Sequence, residues 1–189
     1  DYIGFWGLDV VSLINNPALK HGITNPNMCY LSGGNHEKPG GGTTRNLWRY
    51  DPETNSGQYV GDFDDAGIVF GFHASWYVPW IGDDGGICVA GGADHNHYIH
   101  SATQCYDIGD NSFNGVNADL GSLPEPWWGM ADGWLMNYGE YQIWLANGVA
   151  QDGTLLPNSM YASETSGGFQ TGPHVPVPMY RGEGTGHPD

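Results

Sequence analysis

The sequence predicts an all-β protein, and three observations support that prediction. Glycine accounts for 31 of the 189 residues and aromatic residues for 13 %, a composition typical of short strands joined by tight turns. No convincing amphipathic helix is found, since the best candidate, residues 9–20, contains Pro17 and starts with β-branched residues. A set of short sequence landmarks also recurs three times, which indicates a repeat architecture.

Three landmarks recur in one order along the chain. The first is an aromatic-Gly-apolar triplet, the second is a pair of small residues that ends an apolar run, and the third is a short strand ending in tyrosine. The triplets are Trp6-Gly7-Leu8, Phe70-Gly71-Phe72 and Trp128-Gly129-Met130. The pairs are Gly33-Gly34, Gly91-Gly92 and Asn147-Gly148, and the tyrosines are Tyr50, Tyr106 and Tyr161. The last glycines are 58 and 56 residues apart (92 − 34 and 148 − 92), and the tyrosines 56 and 55.

Each unit is interpreted as four antiparallel strands. Strand a follows the triplet, strand b runs into the small pair, and strand c ends at the tyrosine. Strand d follows a turn rich in turn-forming residues, such as 51–55 or 109–111. A four-stranded unit of about 50 residues with glycine pairs and spaced aromatic residues is the pattern of a β-propeller blade.

The predicted blades cover residues 6–65, 70–126 and 128–178, and residues 179–189 would start a further blade. Propellers generally close with about four to eight blades, because each blade buries its faces against two neighbours. About three blades therefore leave the ring incomplete in this chain. We expect the missing neighbours to come from a longer protein or from further copies.

The repeat resembles the kelch repeat in a divergent form. The resembling features in the second unit are Gly91-Gly92 closing strand b, Tyr106-Asp107 ending strand c, a turn ending in Asn111, and the Leu-Pro-x-Pro segment at 123–126. One departure is that the third unit has Ala162 in place of the aspartate. The resemblance implies a propeller whose loop rim most often binds protein partners, but a fold does not by itself specify a function.

The net charge of −16, with only five lysines and arginines, excludes a nucleic-acid partner, because phosphates require a basic surface. An anionic membrane surface is disfavoured for the same reason, and no apolar run of about 18 residues predicts membrane insertion. Cationic partners or metal ions fit the charge better. The alternative is a solvated acidic surface without a specific cation.

The sequence contains three cysteines. Cys88 on strand b and Cys105 on strand c can face each other across one hairpin, which predicts a disulfide, with two buried thiols as the alternative. The matching positions also hold side chains that could interact: Tyr30 with Arg49, and Trp144 with Met160. A disulfide indicates an oxidising compartment, so we expect an extracellular or cell-surface protein. Cys29 has no evident partner.

Histidines are concentrated in the b–c loop of the second blade. Asp94, His95, His97 and His100 could converge on Zn or Cu. The alternative is a polar surface loop with ordinary histidines.

The b–c loop of the first blade carries His36 and Glu37. Together with Tyr98, these residues are expected to share one rim of the propeller and to bind a partner.

Two further clusters could form sites. The acidic residues at 62, 64–65 and 83–84 are of the type that binds Ca²⁺, although solvated turn residues would have the same composition. Among the many aromatic residues, Trp80 and Trp127 each border a loop, so we expect them to be the least buried. Exposed indole rings bind glycans or anchor protein interfaces.

Three functions are consistent with these features. The first is a protein-binding, scaffold or structural assembly module, favoured because no nucleophile or phosphate-binding motif occurs. The second is part of a secreted copper radical oxidase similar to galactose oxidase, for which Cys105, Tyr98, His97 and His100 would be the candidates. The third is a glycan-binding propeller.

Overall fold

The computed structural model describes residues 5–14, 16–20, 22–23, 26–36, 44–64, 71–94, 96 and 98–179, with 5–7 and 35–36 as backbone alone. Three four-stranded antiparallel sheets are formed in these ranges. The first contains β1 (Phe5–Ser12), β2 (Cys29–His36), β3 (Asn46–Asp51) and β4 (Ser56–Asp62). The second contains β5 (Ala74–Val78), β6 (Gly86–Ala90), β7 (Thr103–Asp107) and β8 (Ser112–Phe113). The third contains β9 (Ala131–Asn137), β10 (Glu140–Ala146), β11 (Ser159–Ser163) and β12 (Gln170–Thr171).

The strands of each sheet lie side by side in chain order, so each sheet is one blade. The first strands converge, since β1 contacts β5 and β5 contacts β9. The all-β, blade-like architecture predicted from the sequence is therefore confirmed. The triplet at 6–8 lies inside β1 rather than before it, and residues 180–189 of the expected further blade lie outside the described residues.

The small pairs that end strand b share one backbone conformation in all three blades. Their φ angles are 65° and 108° at Gly33 and Gly34, 67° and 94° at Gly91 and Gly92, and 61° and 112° at Asn147 and Gly148. Glycine adopts positive φ without strain, and asparagine tolerates it better than most residues. This explains why asparagine replaces glycine in the third blade.

The core consists of two layers, each between adjacent blades. The layer between the first and second blades includes Leu13, Tyr30, Leu47 and Ile87, and that between the second and third includes Trp76. Every residue of β5, β6 and β7 is buried. The second blade is therefore covered on both faces, and burial of its apolar side chains stabilises the arrangement.

One expected strand register is wrong. Trp144 lies opposite Tyr161, and Met160 lies opposite Leu145. The tyrosine of the third blade therefore occupies the position of Cys105, because Cys88 pairs with Cys105 in the second blade.

The position equivalent to Asp107 is then Ser163 rather than Ala162. Asp107 accepts hydrogen bonds from two turn amides, those of Gly109 at 2.9 Å and Asp110 at 3.1 Å. The hydroxyl of Ser163 accepts one from the amide of Ser166 at 3.3 Å. A turn-capping side chain thus remains at this position.

Within the described part of the chain, no helix is long and apolar enough to cross a membrane.

Candidate functional site

The predicted disulfide between Cys88 and Cys105 is present. Both cysteines are fully buried in the layer between the second and third blades. The same position in the third blade holds the rings of Trp144 and Tyr161, stacked with centroids 5.0 Å apart. Each blade thus joins strands b and c differently at this position, and the disulfide is consistent with an oxidising compartment.

The b–c loop of the second blade is organised by Asp94. Its carboxylate accepts hydrogen bonds from the amides of Asn96 at 2.8 Å and Tyr98 at 2.9 Å, and it lies 3.7 Å from Nε2 of His100. The Tyr98 side chain is 63 % exposed. The loop therefore presents an aromatic ring on a scaffold that its own aspartate holds in place.

The metal prediction stays a prediction. His95 and His97 lie outside the described residues, as do Glu37 and Asp65. His36 is the last residue of β2, and nothing is stated of its side chain. Among the residues that the structure describes, no three His, Cys, Asp or Glu side chains are grouped to bind a metal.

The expected exposure of Trp127 is wrong, since this side chain is fully buried. Its carbonyl accepts a hydrogen bond from the Gly92 amide at 2.8 Å, and a Cβ at Gly91 would lie 2.7 Å from the same oxygen. The segment therefore runs against the glycine pair, and the indole enters the core between the second and third blades.

The disulfide also removes Cys105 from the copper radical hypothesis. A sulfur bonded to Cys88 is not available for a crosslink to Tyr98. The cysteine on which that assignment depended is therefore a structural residue of the blade.

Four polar side chains that the sequence analysis did not select meet where the blades converge. Asp9 on β1 lies opposite Ser32 on β2, and the Ser32 hydroxyl is 2.7 Å from Nε2 of His73, just before β5. Asp132 lies on β9 and interacts electrostatically with Asp9. We call these four residues the axial cluster. The sequence signal of Asp9 and Asp132 is a carboxylate within the first strand of a blade, and that of His73 is an imidazole directly before one.

The charges of the axial cluster are set mainly by burial. Burial lowers the pKa of His73 to about 4, against an opposing effect of the Asp9 carboxylate. Burial raises the pKa of Asp132 to about 8, and the Asp9 carboxylate adds to this shift. At neutral pH His73 is therefore an uncharged imidazole and Asp132 is mostly protonated.

The axial cluster contains a serine, a histidine and carboxylates, the groups of a hydrolytic triad. Ser32 is only 2 % exposed and His73 only 4 %, so a substrate carbonyl could not reach the hydroxyl. The cluster instead joins the first and second blades through the contact between Ser32 and His73.

The outer face of the first blade carries an apolar row that crosses all four strands. Val10 pairs with Leu31, Leu31 with Trp48, and Trp48 with Tyr59. The exposed fractions of Val10, Trp48 and Tyr59 are 51 %, 44 % and 46 %. We call these four residues the first-blade face, and a cavity of about 500 Å³ lies against it.

The equivalent face of the second blade is covered by the first blade. Its residues Tyr77, Ile87, Val89 and Tyr106 are all buried in the layer between these two blades. The first-blade face therefore has the position of an interface between blades, but it is exposed in this chain.

Comparisons with known proteins support the fold. The sequence matches no protein family and no curated protein, whereas 133 chains of solved structures match it. One of them is YjhT, a kelch-repeat β-propeller protein, with a TM-score of 0.60 and 16 % identity over 81 % of this chain. The match covers 50 % of YjhT, so this chain spans half the length of that protein. At this identity the likeness shows the fold alone, and that fold is three blades of a kelch-like propeller.

Proposed function

We propose that this chain contributes three blades to an extracellular, kelch-like propeller that acts as a protein-binding and assembly module. The observation that supports the proposal is the first-blade face, an apolar row on the side that a preceding blade would cover. Exposed patches of this kind mark protein–protein contacts, and the partner of this patch is a further four-stranded blade, from the same propeller or from another subunit.

The loop rim is the proposed surface for other protein partners. Tyr98 is exposed there on a loop that Asp94 organises, and aromatic side chains on ordered loops are effective interface anchors. The buried Cys88–Cys105 disulfide supports an extracellular or cell-surface location.

Sedimentation velocity of the 189-residue chain tests the assembly. We expect species heavier than the 20.5 kDa monomer, formed through the first-blade face. The double variant Val10→Asp/Trp48→Asp should shift the distribution to monomer, because it places two charges in the apolar row.

The matched control is Leu155→Asp, which places the same charge on another exposed apolar position outside the first-blade face and should leave association unchanged. A wild-type chain that stays monomeric at all accessible concentrations would contradict assembly through copies of this chain and leave the covering blade to the same propeller.

A further inference from the structure

A pocket of about 380 Å³ lies between the second and third blades, at the end of the blades opposite the b–c loops. Trp80 reaches it from the turn between β5 and β6. Tyr138, Glu140 and Tyr141 reach it from the β9–β10 hairpin, and Glu164 from the turn after β11. A volume of this size is sufficient for a small molecule.

The back wall of the pocket is an ordered group of aromatic rings. Tyr141 stacks on Trp134 with centroids 5.5 Å apart, and Trp80 meets Tyr141 edge to face at 6.3 Å. The Tyr141 hydroxyl donates to the Tyr77 carbonyl at 3.2 Å. These contacts fix the ring positions before any ligand binds.

The rim of the pocket is acidic. Hydrogen bonds from the hydroxyls of Thr165 and Ser163 lower the pKa of Glu140, so that this carboxylate is ionised at neutral pH. Glu164 is exposed beside it. None of the described residues that line the pocket is a lysine, arginine or histidine, and the net charge of −16 adds a long-range attraction for cations.

Tyr138 occupies an unfavourable backbone position without any burial in return. It forms the two-residue turn of the β9–β10 hairpin with Gly139, at φ angles of 51° and 82°. Turns with two positive φ angles favour Asn-Gly, and a tyrosine there is uncommon. Its side chain is completely exposed, so packing does not explain the tyrosine, whereas a ring at the mouth of a pocket does.

We propose that this pocket binds an organic cation, an alkylated ammonium group held between the rings of Trp80 and Tyr138 and the carboxylates of Glu140 and Glu164. Aromatic faces attract cations through the ring quadrupole, most strongly for tryptophan, and several rings together recognise quaternary ammonium groups. The carboxylates add charge complementarity. This site is independent of the first-blade face.

Other classes of ligand would interact with the aromatic rings or with the carboxylates of the pocket, but not with both. A divalent metal prefers a shell of oxygen ligands, whereas Trp80, Tyr138 and Tyr141 contribute aromatic rings to this lining. A neutral sugar could stack on Trp80 but would leave the charges of both carboxylates without a partner. An alkylated ammonium ion uses the rings and the carboxylates together.

The experiment is a titration with choline, followed by the NMR shift of the Trp80 indole N–H, beside a parallel titration with 3,3-dimethyl-1-butanol, its uncharged carbon analogue. We expect saturable binding of choline, with a dissociation constant for the alcohol that is at least about fivefold higher. Equal affinities would overturn the proposal in favour of an apolar pocket, and the lack of saturable choline binding would overturn it outright.

Tyr138→Asn separates binding from folding. It removes the ring but gives the turn its preferred residue, so choline should bind several-fold more weakly while the melting temperature stays the same or rises. Glu140→Gln should weaken choline binding and leave that of the alcohol unchanged. The matched control Leu155→Asn, at an exposed position in the b–c loop of the third blade on the opposite rim, should change neither, and a loss of choline binding in that control alone would overturn the location.

Discussion

The first and second blades have the same strand order but differ in how they are covered. In the second blade every residue of β5, β6 and β7 is buried. In the first blade only Leu47 of β3, the counterpart of β7, is buried, and Val10, Trp48 and Tyr59 of the first-blade face are exposed. The glycine pairs have the same conformation in both blades, so the difference arises from the neighbours. Blade geometry is thus encoded locally, whereas most burial depends on the adjacent blade.

The largest expected effect compares one residue type in the two settings. Trp76 is 3 % exposed between the second and third blades, and Trp48 is 44 % exposed on the first-blade face. Trp76→Ala should lower the free energy of unfolding by about 3–5 kcal/mol through lost burial and a cavity. Trp48→Ala should cost less than about 1 kcal/mol in the monomer. Urea denaturation at low protein concentration measures both.

Equal losses in the free energy of unfolding for the two variants would contradict this difference between the covered and the exposed blade. They would mean that Trp48 is covered in the form measured, and denaturation over a range of protein concentrations would then locate the covering contact.

The second effect concerns the crosslink in the covered blade. Cys88 and Cys105 are 17 residues apart, and a loop of that length corresponds to about 3 kcal/mol of stabilisation from the restricted unfolded chain. The double variant Cys88→Ala/Cys105→Ala should lose an amount of this order in urea denaturation. Cys29→Ser, which changes the free cysteine of the first blade, is the control and should change little.

A loss of less than about 1 kcal/mol in the free energy of unfolding of the double variant would change the explanation for the stability of the second blade. It would show that the layers on both sides, rather than the disulfide, hold the second blade together.

The third expected effect, the smallest when it is measured over one pH unit, lies in the axial cluster, where polar groups are covered. The folded-state pKa of Asp132 is raised to about 8, from an ordinary value of 3.8. Between these values the folded protein holds a proton that the unfolded chain releases. Asp132 therefore lowers stability as the pH rises, by at most about 1.4 kcal/mol per pH unit. Asp132→Asn should remove that decline, so its advantage over the wild type grows from pH 5 to pH 8.

His73 has the opposite sign, over an interval that lies inside that of Asp132. Its folded-state pKa is lowered to about 4 from 6.5, so its effect on stability is lost as the pH falls through that interval. Above pH 6.5 only the Asp132 effect remains, so unfolding measured between pH 6.5 and pH 8 isolates Asp132 from His73, with the exposed Asp83→Asn as control. An Asp132→Asn advantage that does not change with pH would mean that the carboxyl is not shifted in the folded state.

Much of the fold could be predicted from the sequence because the blades repeat backbone requirements. Positive φ at the small pairs favours glycine or asparagine there, and the same preference holds at the turn residues Asn55 and Asn111, with φ of 51° and 50°. Both asparagines also accept a hydrogen bond from the tyrosine hydroxyl of their blade, Tyr50 or Tyr106. These landmarks are local, so a single sequence reveals them.

The wrong register in the third blade has a cause that is visible in the spacings. The last two glycine pairs are 56 residues apart and the last two tyrosines 55, and this one-residue difference moves Tyr161 into the slot of Cys105. The tyrosine is not a fixed landmark of the blade, because the turn requires only a capping side chain, which Ser163 provides. A shift of one residue reverses the face of every side chain in a strand.

The candidate sites could be predicted less well, because they depend on contacts between blades. The position of Trp127 beside a loop suggested exposure, but the close approach to Gly91 directs the ring inward. The axial cluster joins residues 9, 32, 73 and 132, whose proximity depends on the angle between sheets. The pocket beside Trp80 likewise forms only where two blades meet.

The uncovered sides of the two terminal blades are not alike, which restricts the symmetry of any assembly. The backward side of a blade is the one that a preceding blade in the chain would cover, and the forward side is the one that a following blade would cover. The first blade exposes its backward side, and the stacked Trp144 and Tyr161 lie on the forward side of the third blade. A contact that continues the blade order must join a forward side to a backward side, so it is heterologous rather than a self-complementary twofold patch. Such contacts close into a ring only when the rotations between successive blades sum to a full turn, and otherwise they propagate. The inter-blade angle is therefore the quantity that decides between a finite particle and a fibre.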